Sequence, residues 1–484
     1  MKLTIALLFG LVACRASGSL TVSSVPEVVP AGVTSVKSFG AVGDGVTDDR
    51  AAVQAAIDAA TATGGTVYFP PGTYAISRDR SFAFGLKVAG TVHLRGAGQG
   101  RSVIQQQAGA APSVRLLNVS GDHVVIEDLT LDGNRSRQAP NEQRHGLFAG
   151  DAQGLVVQRV TAQNFTGDGF YLYNGTRDAR FSDVLATGNG RNGLTLGGMV
   201  DGTAIVRSRF VENTAQQLDS EPGGANIVSN TTITASLFDG GTASKQYVLT
   251  CSGTGTASKG HGWSIVGNTI NGPVMIVWAD DVKLVGNIGV NPSPKSFVTV
   301  YRSSANVMIM ANRLKQTQAE KAQLAGVLVM GTANSGPSQV LVANNDIELT
   351  YAASFGVRAS GASSVVIVGN LLRGAGRAAV GYAGVHLRAT SADDTFRSAV
   401  IRGNTIENFG ERGVSIVGNG SARLLSVEII GNTFSDDSAI PTMTTGISLD
   451  DGSGAAQELT VDGNKYVGGV KAHVINDPRK AARQ

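Results

Sequence analysis

Residues 36–76, VKSFGAVGDGVTDDRAAVQAAIDAATATGGTVYFPPGTYAI, predict one helix followed by one strand. Thr47 or Asp48 is suited to cap the start of the helix, and Gly64 and Gly65 end it. The strand is TVYF, and the PPG after it is a turn. The apolar residues of the helix are spaced to lie on one face: Ala52, Val53, Ala56, Ile57 and Ala60. The helix therefore has an apolar face that some other part of the chain must cover.

From about residue 90 the chain repeats a short alternating strand that ends in Gly-Asn or Ala-Asn and is followed by a second short strand. A second recurring element begins with Gly and an aliphatic residue, as in DGFYLY and NGLTLG. No repeat contains a helical pattern of ten residues. The Asn residues of the first element are 19 to 34 residues apart: Asn268, Asn287, Asn312, Asn344, Asn370, Asn404, Asn432 and Asn464.

Irregular repeats built only of short strands predict a parallel β-helix, in which each repeat is one coil and inward side chains stack on those of the next coil. Asn in a turn tolerates left-handed backbone, and its amide can bond the same Asn one coil on. A β-propeller is the alternative, but its blades need four strands in units of about 40 residues.

Next to this repeat, residues 36–76 resemble the N-terminal segment of the pectate-lyase-like, rhamnogalacturonase/epimerase-type superfamily. Its members are right-handed parallel β-helices that act on polysaccharides: hydrolases, lyases, C5-epimerases and phage tailspikes. The resemblance implies an all-β, right-handed parallel β-helix (a solenoid) over residues 35–470, with a helix near residues 48–63 covering its N-terminal end. It also implies that the acids of GDGVTDD have structural roles: Asp44, Asp48 and Asp49.

The start of the chain predicts export. MKLTIALLFGLVAC has one Lys before a short apolar run and ends like a bacterial lipobox, so residues 1–17 are expected to be a lipoprotein-type signal peptide with Cys14 as the lipidated residue. An ordinary signal peptide cleaved near Ser17 is the alternative. Residues 18–34 are expected to be a flexible tether and residues 471–484 a C-terminal tail. The expected location is the cell envelope, at the outer membrane in a diderm host, or the medium, with membrane contact only through the lipid.

Charge and cysteine content narrow the classes of partner. The 484 residues hold 40 Lys and Arg against 37 Asp and Glu, without a run of five like charges, so nothing argues for nucleic acid. Cys251 is the only cysteine besides Cys14 and is expected to be a small buried apolar residue. No cofactor and no bound metal are expected for a hydrolase. The expected partner is a polysaccharide. Three basic residues face outward on later coils and could hold carboxylated sugars at distal subsites, and ordinary surface charge is the alternative interpretation: Arg358, His386 and Arg388.

The stretch QQLDSEPGG, residues 216–224, holds the candidate catalytic pair, Asp219 and Glu221. If Leu218 and Ser220 face inward, strand alternation turns both acids outward, with Cα atoms about 6.5–7 Å apart. This separation lies near the range for inverting glycoside hydrolases, about 6.5–9.5 Å, in which one acid protonates the leaving oxygen and the other activates water. A solvated pair at the end of a strand is the alternative interpretation.

The same register predicts a substrate surface. Tyr171 and Tyr173 should face outward about 10 Å from the acids as a sugar-stacking wall, with Thr195 and Gly197 as a small-residue floor between them. Lys245 and His261 are further candidates for substrate contact; the GHG around His261 resembles the Gly-His-Gly of polygalacturonases, whose other motifs are missing. The Asp-Pro-His pattern of alginate epimerases is replaced by DGFYLYN, which counts against C5-epimerisation by that arrangement.

The favoured function is an exported glycoside hydrolase similar to polygalacturonases and rhamnogalacturonases. The second hypothesis is a polysaccharide lyase that uses Tyr173 or Lys245 for β-elimination, a reaction that Ca²⁺ held at acidic groups could assist. The third is a non-catalytic surface protein that only binds glycan.

Overall fold

The computed structural model describes residues 32–475 apart from the segments 79–82, 110–114, 242–245, 318–323, 333–334, 352–353, 377–381, 390–395, 419–423, 440 and 451–455. Four predicted features lie wholly or mostly outside the described residues: the signal peptide with Cys14, the tether, Lys245 and the C-terminal tail, of which residues 476–484 are not described.

The described strands form two parallel sheets that wind together as a solenoid, which confirms the predicted parallel β-helix. The sheet named here the front sheet has 15 strands. They are Phe84–Val88, Arg115–Val119, Leu147–Gly150, Phe170–Tyr173, Leu194–Gly197, Leu218–Glu221, Leu249–Ser252, Val274–Val277, Val298–Tyr301, Leu324–Met330, Ser354–Ser360, Ala383–Arg388, Arg412–Val417, Thr445–Asp450 and Lys471–Ile475.

The back sheet contains the other 33 described strands and bends around the rest of each coil. They are Val33–Ser35, Asp44–Asp48, Thr66–Phe69, Gly72–Ile76, His93–Gly96, Ser102–Gln106, Val125–Asp132, Val156–Gln163, Thr176–Arg177, Arg180–Ser182, Leu185–Thr187, Val200–Asp201, Ala204–Val206, Arg209–Val211, Val228–Ser229, Thr232–Thr234, Leu237–Asp239, Gly260–Val266, Thr269–Asn271, Ala279–Val285, Ile288–Asn291, Ala305–Met310, Arg313–Gln316, Ser338–Ala343, Asp346–Leu349, Ser364–Val368, Leu371–Arg373, Ser398–Arg402, Thr405–Glu407, Leu424–Ile430, Thr433–Ser435, Ala456–Asp462 and Lys465–Val467.

The ends of the solenoid differ from the predicted limits of residues 35 and 470. Its first strand already begins at Val33, where Val33 pairs with Thr66. Its last described strand, Lys471–Ile475, pairs with Thr445–Asp450 and so falls in the segment expected to be a tail. At each end, the neighbouring strand of the solenoid has an unpaired edge, and residues beyond the predicted limit extend the sheet by pairing with that edge.

The core runs along the axis of the solenoid and is filled by inward side chains from both sheets. Phe170 and Phe181 meet edge to face with ring centroids 5.3 Å apart, and Phe210 stacks on Phe238 at 5.2 Å. Cys251 is fully buried in this core, as predicted. Because the inward side chains of each coil fill the core, the side chains that point outward from the front sheet are the ones that can contact a ligand.

The predicted capping helix is present as α1, Arg50–Thr61, which buries Val53, Ala56, Ile57 and Ala60 against the end of the solenoid. Gln54 also closes the edge of the front sheet: its Nε2 donates to the Lys87 carbonyl at 3.0 Å, and its Oε1 accepts from the Lys87 amide at 2.9 Å. One side chain thus replaces the backbone of a missing neighbouring strand.

The acids of GDGVTDD have structural roles, as the resemblance implied. Asp49, rather than Thr47 or Asp48, is the N-cap residue, but its carboxylate accepts from the amides of Val42 and Gly43 at 2.6 and 3.0 Å. Asp48 accepts from the amides of Arg50 and Ser77. The remaining acid, Asp44, accepts from the Thr47 amide at 2.7 Å.

An asparagine ladder holds successive coils together at one corner. Asn370 illustrates a rung: its Nδ2 donates to Asn404 Oδ1 at 2.9 Å and to the Val342 carbonyl at 2.8 Å. The residue of the NN pair that joins the ladder is Asn345, so the assignment to Asn344 is wrong by one position. Asn344 is exposed and has a left-handed backbone, φ 53°, which turns the chain so that Asn345 points inward.

Two short 3-10 helices, Val36–Phe39 and Arg135–Arg137, complete the described elements. Within the described ranges, no helix has the length and apolarity to span a membrane.

Candidate active site

The front sheet brings the predicted pair into the expected register. Tyr171 lies opposite Thr195, and Thr195 lies opposite Asp219 on the next coil. Gly197 lies opposite Glu221. Leu218 and Ser220 are buried toward the core, so both acids point outward, as the alternation predicted.

The two carboxyl groups are in direct contact, because the Asp219 side chain shares a hydrogen bond with that of Glu221. Burial raises the pKa of Asp219 well above its ordinary value, and the Glu221 carboxylate raises it further. The side chains lean together, so the carboxyl groups are closer than the Cα spacing predicted and closer than in inverting enzymes, about 6.5–9.5 Å. The raised pKa therefore favours the protonated form of the Asp219 carboxyl group.

Arg191 connects this pair to a third carboxylate. Its Nη1 donates to Asp168 Oδ2 at 2.9 Å, and its Nη2 donates to Glu221 Oε1. Burial acts to lower the pKa of Arg191, but the attraction of Asp168 and the hydrogen bond and attraction of Glu221 together raise it above its ordinary value. The guanidinium therefore stays charged and fixes the Glu221 carboxylate next to Asp219.

Asp168 is fully buried beneath Arg191 and accepts two further hydrogen bonds. Thr195 Oγ1 donates to Oδ2 at 3.0 Å, and the Asn192 amide donates to Oδ1 at 2.8 Å. Burial raises the pKa of Asp168 to about 7, while Arg191 and these donors act to lower it. The expected role of Thr195 changes accordingly: its side chain is fully buried, so it supports Asp168 instead of forming an open floor for sugar.

Aromatic rings form a wall next to the acids. Phe148 stacks on Tyr171 with centroids 5.5 Å apart and lies 5.8 Å from Tyr173. The Arg115 guanidinium lies over the Phe148 ring, 3.4 Å from its centroid. Tyr173 is 39% exposed, so an aromatic surface lies at the position predicted for the sugar-stacking wall, and it also includes Phe148.

The wall reaches closer to the acids than the spacing of about 10 Å predicted from the register. The Tyr171 ring lies over Gly197, where a Cβ atom would be only 2.5 Å from the hydroxyl oxygen. Gly197 therefore makes room for the ring instead of forming part of an open floor. Burial raises the pKa of the Tyr171 hydroxyl to about 12. The negative charges of Glu221 and Asp168 act in the same direction, and the positive charge of Arg191 acts against them.

His145 lies behind the wall, fully buried, with its ring 4.6 Å from that of Tyr171. Its Nδ1 accepts from the Asp168 amide at 3.2 Å. Burial, then Arg115 and Arg191, lowers the pKa of His145 to about 3, so the imidazole is neutral. A neutral, enclosed imidazole supports the wall and does not reach solvent.

The other candidates lie apart from the acids. His261 is in the back-sheet strand Gly260–Val266, opposite Asp280, and is not brought to the front sheet. Lys259 pairs with Asp280 at 3.0 Å. In the part of the chain that the structure describes, no group of three or more His, Cys, Asp or Glu side chains is arranged to hold a metal ion.

Asp168 and Arg191 were missed by the sequence reasoning, although a signal for Asp168 exists. One turn position, directly before the recurring Gly-aliphatic strand, holds His145, Asp168, Asn192 and Gln216 on successive coils. Each of the first three accepts a hydrogen bond from the next backbone amide of this series. Aligning the repeats at this turn shows that these four residues lie above one another. No spacing rule predicts that the Arg191 side chain bends back over Asp168.

Comparison with known proteins identifies the family. Residues 33–275 match the family described as rhamnogalacturonase A/epimerase, pectate lyase-like, and residues 259–466 match the right handed beta helix region. The first match covers more than half of the chain. The chain belongs to the pectate-lyase-like rhamnogalacturonase A/epimerase family.

Relatives of this pectate-lyase-like chain include the mannuronan C5-epimerase AlgE6 of Azotobacter vinelandii, 38% identical over 210 residues, which are 40% of this chain and 23% of the relative. Alginate lyase 7 of the same organism is 36% identical over 173 residues, 33% of this chain and 20% of the relative. The chain thus matches less than a quarter of the length of either relative.

The solved structure of the pre-mature bacteriophage phi29 gene product 12 has the same fold at 18% identity, with a TM-score of 0.50, over 91% of this chain and 56% of that one. The two family matches and this fold confirm a right-handed parallel β-helix of the pectate-lyase-like type.

Proposed function

We propose that this protein is a polysaccharide-cleaving glycoside hydrolase whose catalytic groups are Asp219 and Glu221. The observation that carries the proposal is the side-chain contact between these two acids, with Arg191 fixing Glu221 beside an aromatic wall. A protonated acid next to a fixed carboxylate is the pair of groups that glycoside hydrolysis requires.

Asp219, with its raised pKa, is the proton donor. Its proton passes to the glycosidic oxygen as the bond between that oxygen and the anomeric carbon breaks. Glu221 accepts a proton from a water molecule, and the water oxygen forms the new bond to the anomeric carbon. Because the acids touch in this structure, they must move apart for a water to enter between them. The anomeric form of the first product, followed by NMR, reports whether the configuration inverts.

The aromatic wall supplies the binding surface for the sugar. Tyr173 is exposed enough to stack on the apolar face of a ring, and Phe148 supports it from the neighbouring coil. Stacking on one side and acids on the other hold the glycosidic oxygen near the Asp219 proton. Tyr173→Ala is therefore expected to raise KM more than it lowers kcat.

The test is incubation of the full chain with a panel of neutral and acidic polysaccharides that includes mannuronan, measuring new reducing ends and ultraviolet absorbance together. Asp219→Asn and Glu221→Gln should each lower the rate of reducing-end formation about 10²- to 10⁴-fold. Asp183→Asn is the matched control: this acid pairs with Arg207 on the back sheet and should leave the rate unchanged. Parent-level cleavage by both amide variants would place the site elsewhere.

A second candidate is abstraction of the C5 proton of a uronate, which leads to β-elimination or to epimerisation. Similarity to relatives named mannuronan C5-epimerase and alginate lyase favours it. Both reactions develop negative charge at the substrate carboxylate and need a cation or donor there. Arg191 already binds Asp168 and Glu221, which favours hydrolysis.

The same assay separates the candidates. Elimination leaves a conjugated double bond that absorbs in the ultraviolet, whereas hydrolysis does not. Epimerisation forms no new ends but exchanges the C5 hydrogen with deuterated solvent. Calcium dependence, tested by chelation, would favour the lyase. Glycan binding without any of these products, unaffected by Asp219→Asn, would identify the non-catalytic binding protein.

A further inference from the structure

The front sheet carries a second cluster of aromatic and basic side chains, several coils beyond the acids. It is named here the arginine cluster and consists of Phe355, Arg358, Tyr382, His386, Arg388 and Arg412. Strand register places Arg358 opposite His386, and Arg388 opposite Ser360. Arg412 lies opposite Ala383 on the following coil.

Aromatic side chains form the floor of the cluster. The Phe355 ring stacks on that of His386 at 4.8 Å and lies 5.0 Å from that of Tyr382. The Arg358 guanidinium lies 5.4 Å above the Phe355 ring. Phe355 also belongs to a small apolar cluster with Ala325 and Ala383, separate from the main core. The front sheet thus has an ordered outer surface here.

Three of the six side chains that define the cluster are arginines, and none is an acid. Burial, then Arg358, Arg388 and Arg412, lowers the pKa of His386 to about 4. Arg388 contributes, after burial, to a lowered pKa of Arg358. A carboxylate, that of Glu411, lies 3.5 Å from Arg412 at the edge of the group. These mutual effects on the pKa values show that the basic groups repel one another, and an anionic ligand would reduce that repulsion.

Between the acids and the arginine cluster, the outward positions of the described front-sheet strands carry no charged side chain, and Arg302 follows the last of these positions on its strand, Tyr301, with its guanidinium 5.1 Å from that ring. Two series of outward side chains run along this surface, one coil after another, starting on the coil after Asp219. The first series is Thr250, Met275, Thr299 and Leu328, and the second is Ser252, Val277, Tyr301 and Met330. Five coils separate the strand of Asp219 from that of Arg358, a distance of about 24 Å at ~4.8 Å per coil. Tyr301 offers one more ring along this path.

We propose that the arginine cluster is a distal subsite that binds the anionic groups of an acidic polysaccharide lying along the front sheet from the acids to Arg358 and Arg388. This inference rests on the proposed function for its substrate, and it adds that the sugars carry carboxylate or sulfate groups. The guanidinium groups bind the anion, and Tyr382, which is partly exposed, lies beside the sugar ring.

The experiment measures binding separately from cleavage. In the Asp219→Asn background, calorimetry gives the affinity for long and short oligouronates, for sulfated neutral oligosaccharides and for carboxyl-reduced oligosaccharides of the same length. The double change Arg358→Gln and Arg388→Gln should weaken binding of long anionic chains about 10²- to 10⁴-fold, since it removes two charged hydrogen-bond donors to the anion. Short chains that fill only the site at Asp219 should be unaffected.

The matched control is Arg209→Gln, an exposed arginine of the back sheet, which should leave the affinity unchanged. Preference for oligouronates identifies carboxylate as the anion, and preference for the sulfated chains identifies sulfate; either supports the subsite. The proposal is overturned if the double change weakens the binding of carboxyl-reduced chains as much as that of anionic chains. It is also overturned if Arg209→Gln weakens the binding of anionic chains as much as the double change does. A loss of long-chain affinity in a protein that cleaves nothing would retain the subsite and reject the hydrolase.

Discussion

At the scale of single residues, alternation of the strands was sufficient to place Asp219, Glu221, Tyr171 and Tyr173 on one surface. It could not predict how the side chains bend, because that depends on neighbours from other coils. Arg191 draws Glu221 toward Asp168, and the missing Cβ of Gly197 admits the Tyr171 ring. The register was therefore predictable and the contacts were not.

Arg191 is a positioning residue whose removal should change the pH profile. Its charge lowers the pKa of Asp219, so Arg191→Met should raise that pKa and keep the proton donor protonated to higher pH. The basic limb of the rate profile should move upward, while kcat falls about 10- to 100-fold as Glu221 loses a charged partner. Arg191→Lys keeps the charge and should keep the limb in place. A limb that moves downward in Arg191→Met would contradict this assignment.

Gly197→Ala tests the fit of the Tyr171 ring. The new methyl group would displace the ring, because it would lie 2.5 Å from the hydroxyl oxygen. Aromatic contacts of this kind are worth about 0.5–1.5 kcal/mol, so KM should rise about two- to tenfold with a smaller change in kcat. Gly255→Ala, which meets no heavy atom within 4 Å, is the control. Equal kinetics of the two variants would show that the ring does not shape the site.

At the scale of elements, the sequence predicted α1 and the ladder but missed one register. In VLVANNDI either Asn fits the pattern, and only the backbone decides between them. The turn residue needs φ near +53°, which Asn344 adopts, so that Asn345 faces the ladder. Most other coils place Gly or Ala at the turn position, which removes the ambiguity there.

Replacing Asn370 should destabilise the solenoid far more than replacing Asn344. Asn370→Ala removes its bonds to Asn404 and Val342 and leaves the Asn345 amide groups without an acceptor. Buried orphaned groups cost about 1–3 kcal/mol each, so the loss should reach about 3 kcal/mol. Asn344→Ala only strains a left-handed position, for about 1 kcal/mol. Urea unfolding of both variants checks the order, and an equal loss would move the ladder back to Asn344.

At the scale of the whole molecule, the fold was predictable because one irregular repeat recurs along most of the chain. The family defines the fold, whereas the substrate and the reaction depend on side-chain contacts that a pattern of outward positions does not contain. Export depends on a segment outside the described residues, and there the sequence remains the basis for a proposal.

We propose that the chain is lipid-anchored through Cys14, since LVAC closes a short apolar segment that follows one Lys. Cys14→Ser should move the protein from the membrane fraction to the soluble fraction, because the acyl chains that hold it can no longer be attached. Cys251→Ser, a change in the core, is the control for loss of a thiol and should leave the protein in the membrane fraction. An unchanged distribution of Cys14→Ser would rule out the anchor.

The stability of the solenoid should carry a pH dependence that originates at the acid pair. In the unfolded chain Asp219 loses its proton near the ordinary carboxyl pKa of about 4. In the folded chain its pKa is raised, so the unfolded state binds fewer protons between the two values and stability falls as pH rises through that window. The slope is at most about 1.4 kcal/mol for each pH unit and each proton.

Asp219→Asn keeps a donor toward Glu221 and removes this titration, while Asp168 continues to titrate in both proteins. Denaturant unfolding at about pH 4 and about pH 8 should therefore show similar stabilities at the lower value and a more stable Asp219→Asn variant at the higher one. Parallel pH dependences would mean that Asp219 is ionised in the folded protein at neutral pH, and Glu221 would then be the proton donor.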